Sequence, residues 1–428
     1  MRSEGWQRSI AALWVAQMLT MVGFSFIFPF IPLYIQTLGV KGATEAAQWA
    51  GVIGAGSALS MAVAQPIWGN VADRWGRKPM VIRSLLGNGI VMILMGLASS
   101  PEQLLILRFV QGAVTGTIAA ANALVSTTTP KHRLGFALGI MQVAVFVGAS
   151  IGPLVGGLVA DAFSYRLAFY ISGSLMLLGV PVVLAFVREH REQSQSQVSN
   201  QGVLAESRLL MAIAAFPAMI GVIFLLQLGT IIVTPVLSLF VAELSGGANA
   251  ATSAGAIIAA TGAMSAMSAL VIGRVGDRVG HTPILWVCLL GAAIAYFPQA
   301  IVQQVWQLLL LRLLLGMFLG GLMPSANALV AGMVPPERRG AAFGLLATAT
   351  AMANALGPIS GAGVATQWGI RAVFLATGGL YTAGWGWVTF TFRNRRASRG
   401  TRGAAELGVE RDSDERNSAR LREWSRDE

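Results

Sequence analysis

The amino-acid sequence predicts an all-α integral membrane protein whose twelve transmembrane helices form two pseudo-symmetric six-helix bundles. Three observations carry this. Of the 428 residues, 55% are hydrophobic and only 11% charged, roughly half the charge of a soluble protein. Apolar runs of about 20 residues, the length that spans a bilayer, recur from end to end. The polar stretch GNVADRWGRK at 69–78 returns as GRVGDRVGH at 273–281, with Gly, Asp, Arg and Gly at the same spacing. An internal repeat of that kind dictates the architecture.

The spans fall near 10–35, 47–69, 79–98, 103–125, 135–160, 167–187, 209–241, 251–273, 283–302, 306–331, 339–364 and 371–392. Helices alone suit them, since barrel strands would alternate apolar and polar residues. Met1 to Arg8 ahead of an apolar run imitates a signal peptide. The run continues past Phe28 to Tyr34 without a clear small-residue cleavage site, and it has a counterpart in the second half, so it is read as helix 1. Residues 188–208 are rich in Gln and Ser with scattered charges, the composition of a flexible hydrated linker. They divide an N-terminal bundle, 1–187, from a C-terminal bundle, 209–392. The tail 393–428 mixes ten Arg with eight acids and is predicted to be disordered.

The net charge of +11 does not point to nucleic acid, because the basic residues fall in loops rather than on one face. With both termini cytoplasmic, 25 of the 30 Lys and Arg lie inside and only Lys41, Arg166 and Arg371 outside; without the tail the bias is still 15 against 3. The expected location is the inner (plasma) membrane. The lone Cys288 excludes an intramolecular disulfide and reads as a small core residue.

The repeat extends well beyond one loop. Pro29 matches Pro235, and Arg108, Gly112 and Gly116 match Arg312, Gly316 and Gly320. Gly135, Gly139, Gly152, Pro153, Arg166 and Phe169 recur as Gly340, Gly344, Gly357, Pro358, Arg371 and Phe374, all at an offset of 205. These residues resemble the major facilitator superfamily, and within it the twelve-helix drug:proton antiporters, over about residues 8–392. Gly69 to Lys78 looks like that superfamily's signature between helices 2 and 3, with Val71 where Leu is usual. Arg108, Gln111, Gly112 and Gly116 resemble a helix 4 signature linked to proton coupling. In span 5, Gly139, Gly148, Gly152, Pro153, Gly156 and Gly157 resemble the antiporter signature of exporters, and Phe28 to Pro32 look like the helix 1 element of drug exporters. The resemblance is to bacterial multidrug-resistance efflux proteins. It implies alternating access, small amphipathic substrates, protons as a coupling partner and a monomer.

Physical chemistry gives these positions roles. Gly69 would let another helix approach, helix 11 on the resemblance, with Asp73 at that helix's N-terminus where the macrodipole favours a carboxylate. Arg74, Gly76, Arg77 and Lys78, with Asp277 and Arg278 in the repeat, would complete a conformational latch at the inner surface. The span 5 glycines and Pro153 would give a bendable, tightly packed seam between the halves. Arg108 costs about 2.5–3.5 kcal/mol inside a span and should face a wet cavity or a polar partner. Arg312 holds the repeat position, with Leu315 in place of Gln111.

Gln17, Gln111, Asn122, Gln142, Gln227, Asn327 and Asn354 are candidates to line that cavity, together with apolar residues such as Trp14, Phe24, Phe26, Met141, Phe146 and Phe224. Proton coupling calls for an acid or His inside the membrane. Yet the acids before the tail (Glu4, Glu45, Asp73, Glu102, Asp161, Glu189, Glu192, Glu206, Glu243, Asp277, Glu337) fall in loops or near span ends, as do His132, His190 and His281. Asp161 and Glu243, near the outer ends of their spans, are therefore coupling candidates beside Arg108. The missing acid favours a facilitator or symporter of one metabolite; the span 5 glycines favour export. No clustered nucleophile, acid/base pair or metal-ligand set is present, so no enzyme, cofactor or metal is expected. The absence of a Gly-rich loop ending in Lys-Ser or Lys-Thr excludes an ATP-driven pump in one chain.

Overall fold

The computed structural model describes residues 4–130, 133–187, 189, 208–213, 215–335 and 338–391. Most of the predicted linker and the whole of the predicted disordered tail lie outside the described residues. The described chain is helical, and its spans follow as α1 (Trp6–Thr37), α2 (Ala43–Trp75), α3 (Arg77–Gly96), α4 (Pro101–Ser126), α5 (Leu134–Ala162) and α6 (Tyr165–Phe186). The second half follows as α7 (Phe216–Ser245), α8 (Ala250–Val279), α9 (His281–Ala300), α10 (Val305–Met333), α11 (Arg339–Trp368) and α12 (370–391). Eleven of them contain a stretch long and apolar enough to cross a membrane.

Two expectations are corrected. The stretch 69–78 is not a loop: α2 stays helical to Trp75, and α3 begins at Arg77. Gly76 alone, at φ +100°, turns the chain, a conformation open to Gly because it has no Cβ. The repeat behaves alike, with Gly280 between Val279 and His281. Span 7 starts at Phe216 rather than 209, because Pro217 has no N–H to donate and suits a first helical turn.

Contacts between helices obey the repeat. The pair α1–α5 recurs as α7–α11, and α2–α4 as α8–α10. The correspondence reaches side chains: Tyr34 packs on Phe169 with ring centroids 4.8 Å apart, and Phe240 on Phe374 at 4.9 Å. The Tyr34 hydroxyl donates to the carbonyls of Met95 and Ala98 at 3.0 and 3.3 Å, which satisfies its polar end inside the bundle.

The halves meet through α5 against α8 and α2 against α11, and these contacts lie toward the end away from the linker. A Cβ on Gly157 would fall 2.9 Å from Thr252 Cα, and one on Gly51 2.7 Å from Ala362 Cβ. Toward the linker end the same four helices part. Among the described residues nothing lies within 4 Å of a Cβ built on Gly69, Gly139, Gly273 or Gly344.

Candidate functional site

Between the halves lies a cavity of about 700 Å³. The N-terminal half supplies most of its wall, including Phe24 and Phe28 of α1, Ser57, Met61 and Gln65 of α2, Asn88 of α3, Gln111 and Asn122 of α4 and Met176 of α6; Gln227, Ile231, Asn354 and Pro358 close it from α7 and α11. Among the described residues lining it, none carries an ionisable side chain. Gln227 Nε2 donates to Asn354 Oδ1 at 2.9 Å, pinning the two amides of the second half to each other.

The cavity wall includes two places where helices are interrupted. Pro29 turns α1 into a 3-10 segment at Phe28–Phe30. In α4 the helix stops at Val114 and restarts at Thr117, with Thr115 extended and Gly116 at φ +133°. Backbone irregularity at membrane depth is tolerated where it borders a cavity, and Thr115, Gly116 and Thr117 do border this one. The equivalent helix of the repeat, α10, runs unbroken through Gly320.

Arg108 is 1% exposed and sits behind the far end of the cavity, beside a void of about 30 Å³ bounded by Phe28, Ile53, Thr234, Pro235 and Pro358 among others. Its Nη1 donates to Gln111 Oε1 at 2.8 Å, and its guanidinium lies 5.3 Å from the Phe28 ring centroid. Among the described residues, its Nε and Nη2 are buried with no hydrogen-bond partner, as is Gln111 Nε2. Arg312 takes a different environment, between the rings of Tyr296 and Phe374 at 5.7 and 5.8 Å, and it does not line the large cavity.

Of the amides singled out from sequence, Gln111, Asn122, Gln227 and Asn354 line the cavity. Gln17 does not: it is 1% exposed inside the N-terminal bundle, and neither amide atom has a partner among the described residues. Gln142 and Asn327 are exposed away from the cavity. Among the apolar candidates Phe24 lines it, whereas Phe26 and Met141 are buried in the bundle and Phe146 is exposed. Helix periodicity alone does not distinguish a cavity-facing amide from one facing a neighbour. The sequence reading missed Ser57, Gln65, Asn88, Thr115 and Thr117. The two threonines flanking Gly116, each able to compete for backbone hydrogen bonds, were the available signal for the break.

Asp161 lies outside the cavity. Its carboxylate accepts from the backbone N–H groups of Ala251 at 3.3 Å and Thr252 at 2.6 Å, capping the first turn of α8 across the interface between the halves. In α5, Gly148, Gly152 and Gly156 face α1 of the same half, where a Cβ on Gly148 would stand 2.6 Å from Met21 Cβ and one on Gly156 would strike the Phe26 backbone. Gly157, and Pro153 through its carbonyl against Gly255, face α8 of the other half. Among the described residues nothing lies within 4 Å of a Cβ built on Gly139.

At the 69–78 motif, the side chains of Asp73 and Asp277 lie outside the described residues. Arg74 and Arg278 are exposed. Arg77 and Lys78 hold to their own half: Arg77 Nη1 donates to Ala123 O at 2.5 Å, and Lys78 Nζ to Leu184 O and Val187 O at 3.0 and 2.6 Å. Glu189, read from sequence as part of the linker, caps α3 through the backbone N–H groups of Arg77 at 2.6 Å and Lys78 at 3.1 Å. Arg83, counted from sequence among inner-loop cations, is instead inside α3, its guanidinium 3.6 Å from the Trp68 ring centroid.

Residues 13–298 and 219–426 match the model of the Major Facilitator Superfamily. The chain belongs to the Major Facilitator Superfamily. Similar superfamily relatives include Multidrug resistance protein MdtG of Enterobacter lignolyticus, 37% identical over 377 residues that cover 87% of this chain and 89% of the relative. The protein of the same name from Salmonella typhimurium is 37% identical over 398 residues, covering 91% and 97%. Solved superfamily structures share the fold. The nucleoside transporter NupG superposes with a TM-score of 0.72 at 16% identity, covering 90% of this chain and 98% of that one. A bacterial homolog of the human lysosomal transporter Spinster gives 0.76 at 16% identity, covering 92% and 98%.

Proposed function

We propose that this chain is a multi-pass inner-membrane exporter of small amphipathic compounds, working by alternating access as a drug:proton antiporter, rather than an enzyme. The observation that carries this reading is a substrate-sized cavity shared by both halves, with α2–α11 and α5–α8 joined at one end and parted at the other. Similarity to multidrug resistance relatives supplies the direction. The excess of Lys and Arg at the parted end supports its being cytoplasmic, so the described state is inward-facing with both termini inside. Export then requires the Asp161 cap and the Gly157 and Gly255 contacts to open while the parted ends of α2 and α11, carrying Gly69 and the Asp73 latch, close. The protein acts as a monomer, each copy holding a complete cavity.

Arg108 remains charged at any physiological pH, so it does not itself carry a proton. Its role in coupling is to orient Gln111 and to set the field felt by whatever occupies the cavity. The test is extrusion from inverted membrane vesicles with an imposed pH gradient while internal pH is followed. Substrate-dependent proton release is expected, and Arg108→Ala should abolish it. Movement indifferent to collapse of the gradient would leave a facilitator in place of the antiporter.

A further inference from the structure

We propose that the break in α4 is a cradle for the anionic headgroup of the transported compound, a carboxylate, phosphonate or phosphate. The inference rests on the transporter reading of the cavity and names the class of compound the cavity takes.

A broken helix inside a membrane must account for every freed backbone group. Here the carbonyls are provided for. In a continuous helix, Ala113 O would accept from the N–H of Thr117 and Thr115 O from that of Ala119. Instead Ala113 O accepts from the Trp68 indole at 2.7 Å, and Thr115 O from Arg83 Nη2 at 3.4 Å. Among the described residues the donors are not provided for. Gly116 caps the restarted helix with no side-chain hydrogen bond, and Thr117, Ile118 and Ala119 all line the cavity. This N-terminus opens a helix of 12 residues, so its free N–H groups and macrodipole favour an anion.

A second observation points to the same ligand. Gln111, 1% exposed and also lining the cavity, has its Oε1 occupied by Arg108, which leaves the Nε2 donor unpartnered. Behind it stand the unpartnered Nε and Nη2 of Arg108; behind Gly116 stand the unpartnered Nε and Nη1 of Arg83, whose Nη2 lies 3.7 Å from where a Cβ of Gly116 would be. Gln111 and the first turn of the restarted helix border one cavity wall whose described lining residues include no carboxylate, with Arg83 behind the break and Arg108 behind Gln111. The break is particular to the site, since α10 carries Gly320 at the matching position and continues through it as helix. The aromatic and Met surface of the same cavity, Phe24, Phe28 and Met61, suits the apolar body of the same molecule.

The test measures binding of three probes of one shape to the purified full-length protein in zwitterionic nanodiscs by titration calorimetry: naphthoate, neutral naphthalenemethanol and cationic naphthylmethyl-trimethylammonium. Naphthoate should bind at least about fivefold tighter than the alcohol, with the cation weakest. Gln111→Glu should reverse the order of anion and cation. Gln111→Ala and Arg83→Gln, both milder, should each weaken naphthoate about threefold and leave the alcohol within about twofold. Adding phosphatidylglycerol to the discs should leave naphthoate binding unchanged. Equal binding of naphthoate and alcohol, no naphthoate binding tighter than about 10 mM, an order untouched by Gln111→Glu and the milder variants, or displacement of naphthoate by the anionic lipid would overturn the proposal. Because binding is read without transport, a protein that prefers naphthoate yet moves nothing in vesicles would sink the transporter reading and leave the cradle standing.

Discussion

At the scale of single residues, the two buried arginines of the repeat have diverged, and substitution should separate them. Arg108 touches Gln111 and the inter-half void, whereas Arg312 is enclosed by Tyr296 and Phe374 away from the large cavity. Each charge costs about 2.5–3.5 kcal/mol to insert, so Arg108→Leu and Arg312→Leu should both reach the membrane at wild-type levels or above. Efflux should fall at least about tenfold in Arg108→Leu and stay within about threefold of wild type in Arg312→Leu, measured as extrusion from loaded cells. Both residues were visible in the sequence as cations inside apolar runs, but their difference was not. It depends on which aromatic rings the fold brings around each guanidinium, and those come from helices distant in sequence. For the same reason Gln17 and Gln111, both amides on inward helix faces, were indistinguishable until neighbouring backbones were in place.

At the scale of elements, the glycines of α5 divide their work between two partners. Gly156→Val should force α1 and α5 apart and destabilise the N-terminal bundle by about 1–3 kcal/mol, read as a lower melting temperature in detergent. Gly157→Val should act mainly between the halves, disturbing the α5–α8 contact and favouring the outward-open state. Asp161→Ala removes an inter-half cap worth about 1 kcal/mol. It should raise the accessibility of a cysteine placed at the outer end of α8 about fivefold, and Asp161→Asn, which keeps an acceptor, should restore much of the wild-type rate. Helix number, order and most boundaries were legible because apolar length and the 205-residue offset are one-dimensional signals. The continuation of α2 to Trp75 was not, because Asp73 and Arg74 read as a loop on hydropathy while Gly76 alone supplies the turn. Nor was the break in α4, which Thr115 and Thr117 permit and contacts from Trp68, Arg83, Ser84 and Asn88 stabilise.

At the scale of the whole molecule, the described residues of the two halves pack together toward one end, so the expected conformational change is a rocking about the cavity rather than a rearrangement inside a bundle. Cysteines at positions 69 and 344, in the parted ends of α2 and α11, should react with a water-soluble maleimide in the described state and become protected when the outer end is forced open by Asp161→Ala. The repeat made this symmetry readable in advance, since α2 and α8, and α5 and α11, exchange places across it. The cavity has a further consequence, electrical in nature. Its described wall holds no group that changes charge, so an anion in the cradle crosses the bilayer with its full charge, and a proton carried inward on the return step moves charge in the same electrical sense. An inside-negative potential does about 2.3 kcal/mol of work on each such charge per 100 mV, a bias of nearly fiftyfold toward the outside. A potassium diffusion potential set with valinomycin in proteoliposomes should therefore accelerate naphthoate movement toward the positive side and leave naphthalenemethanol unaffected, and the transporter would draw on membrane voltage as well as on protons.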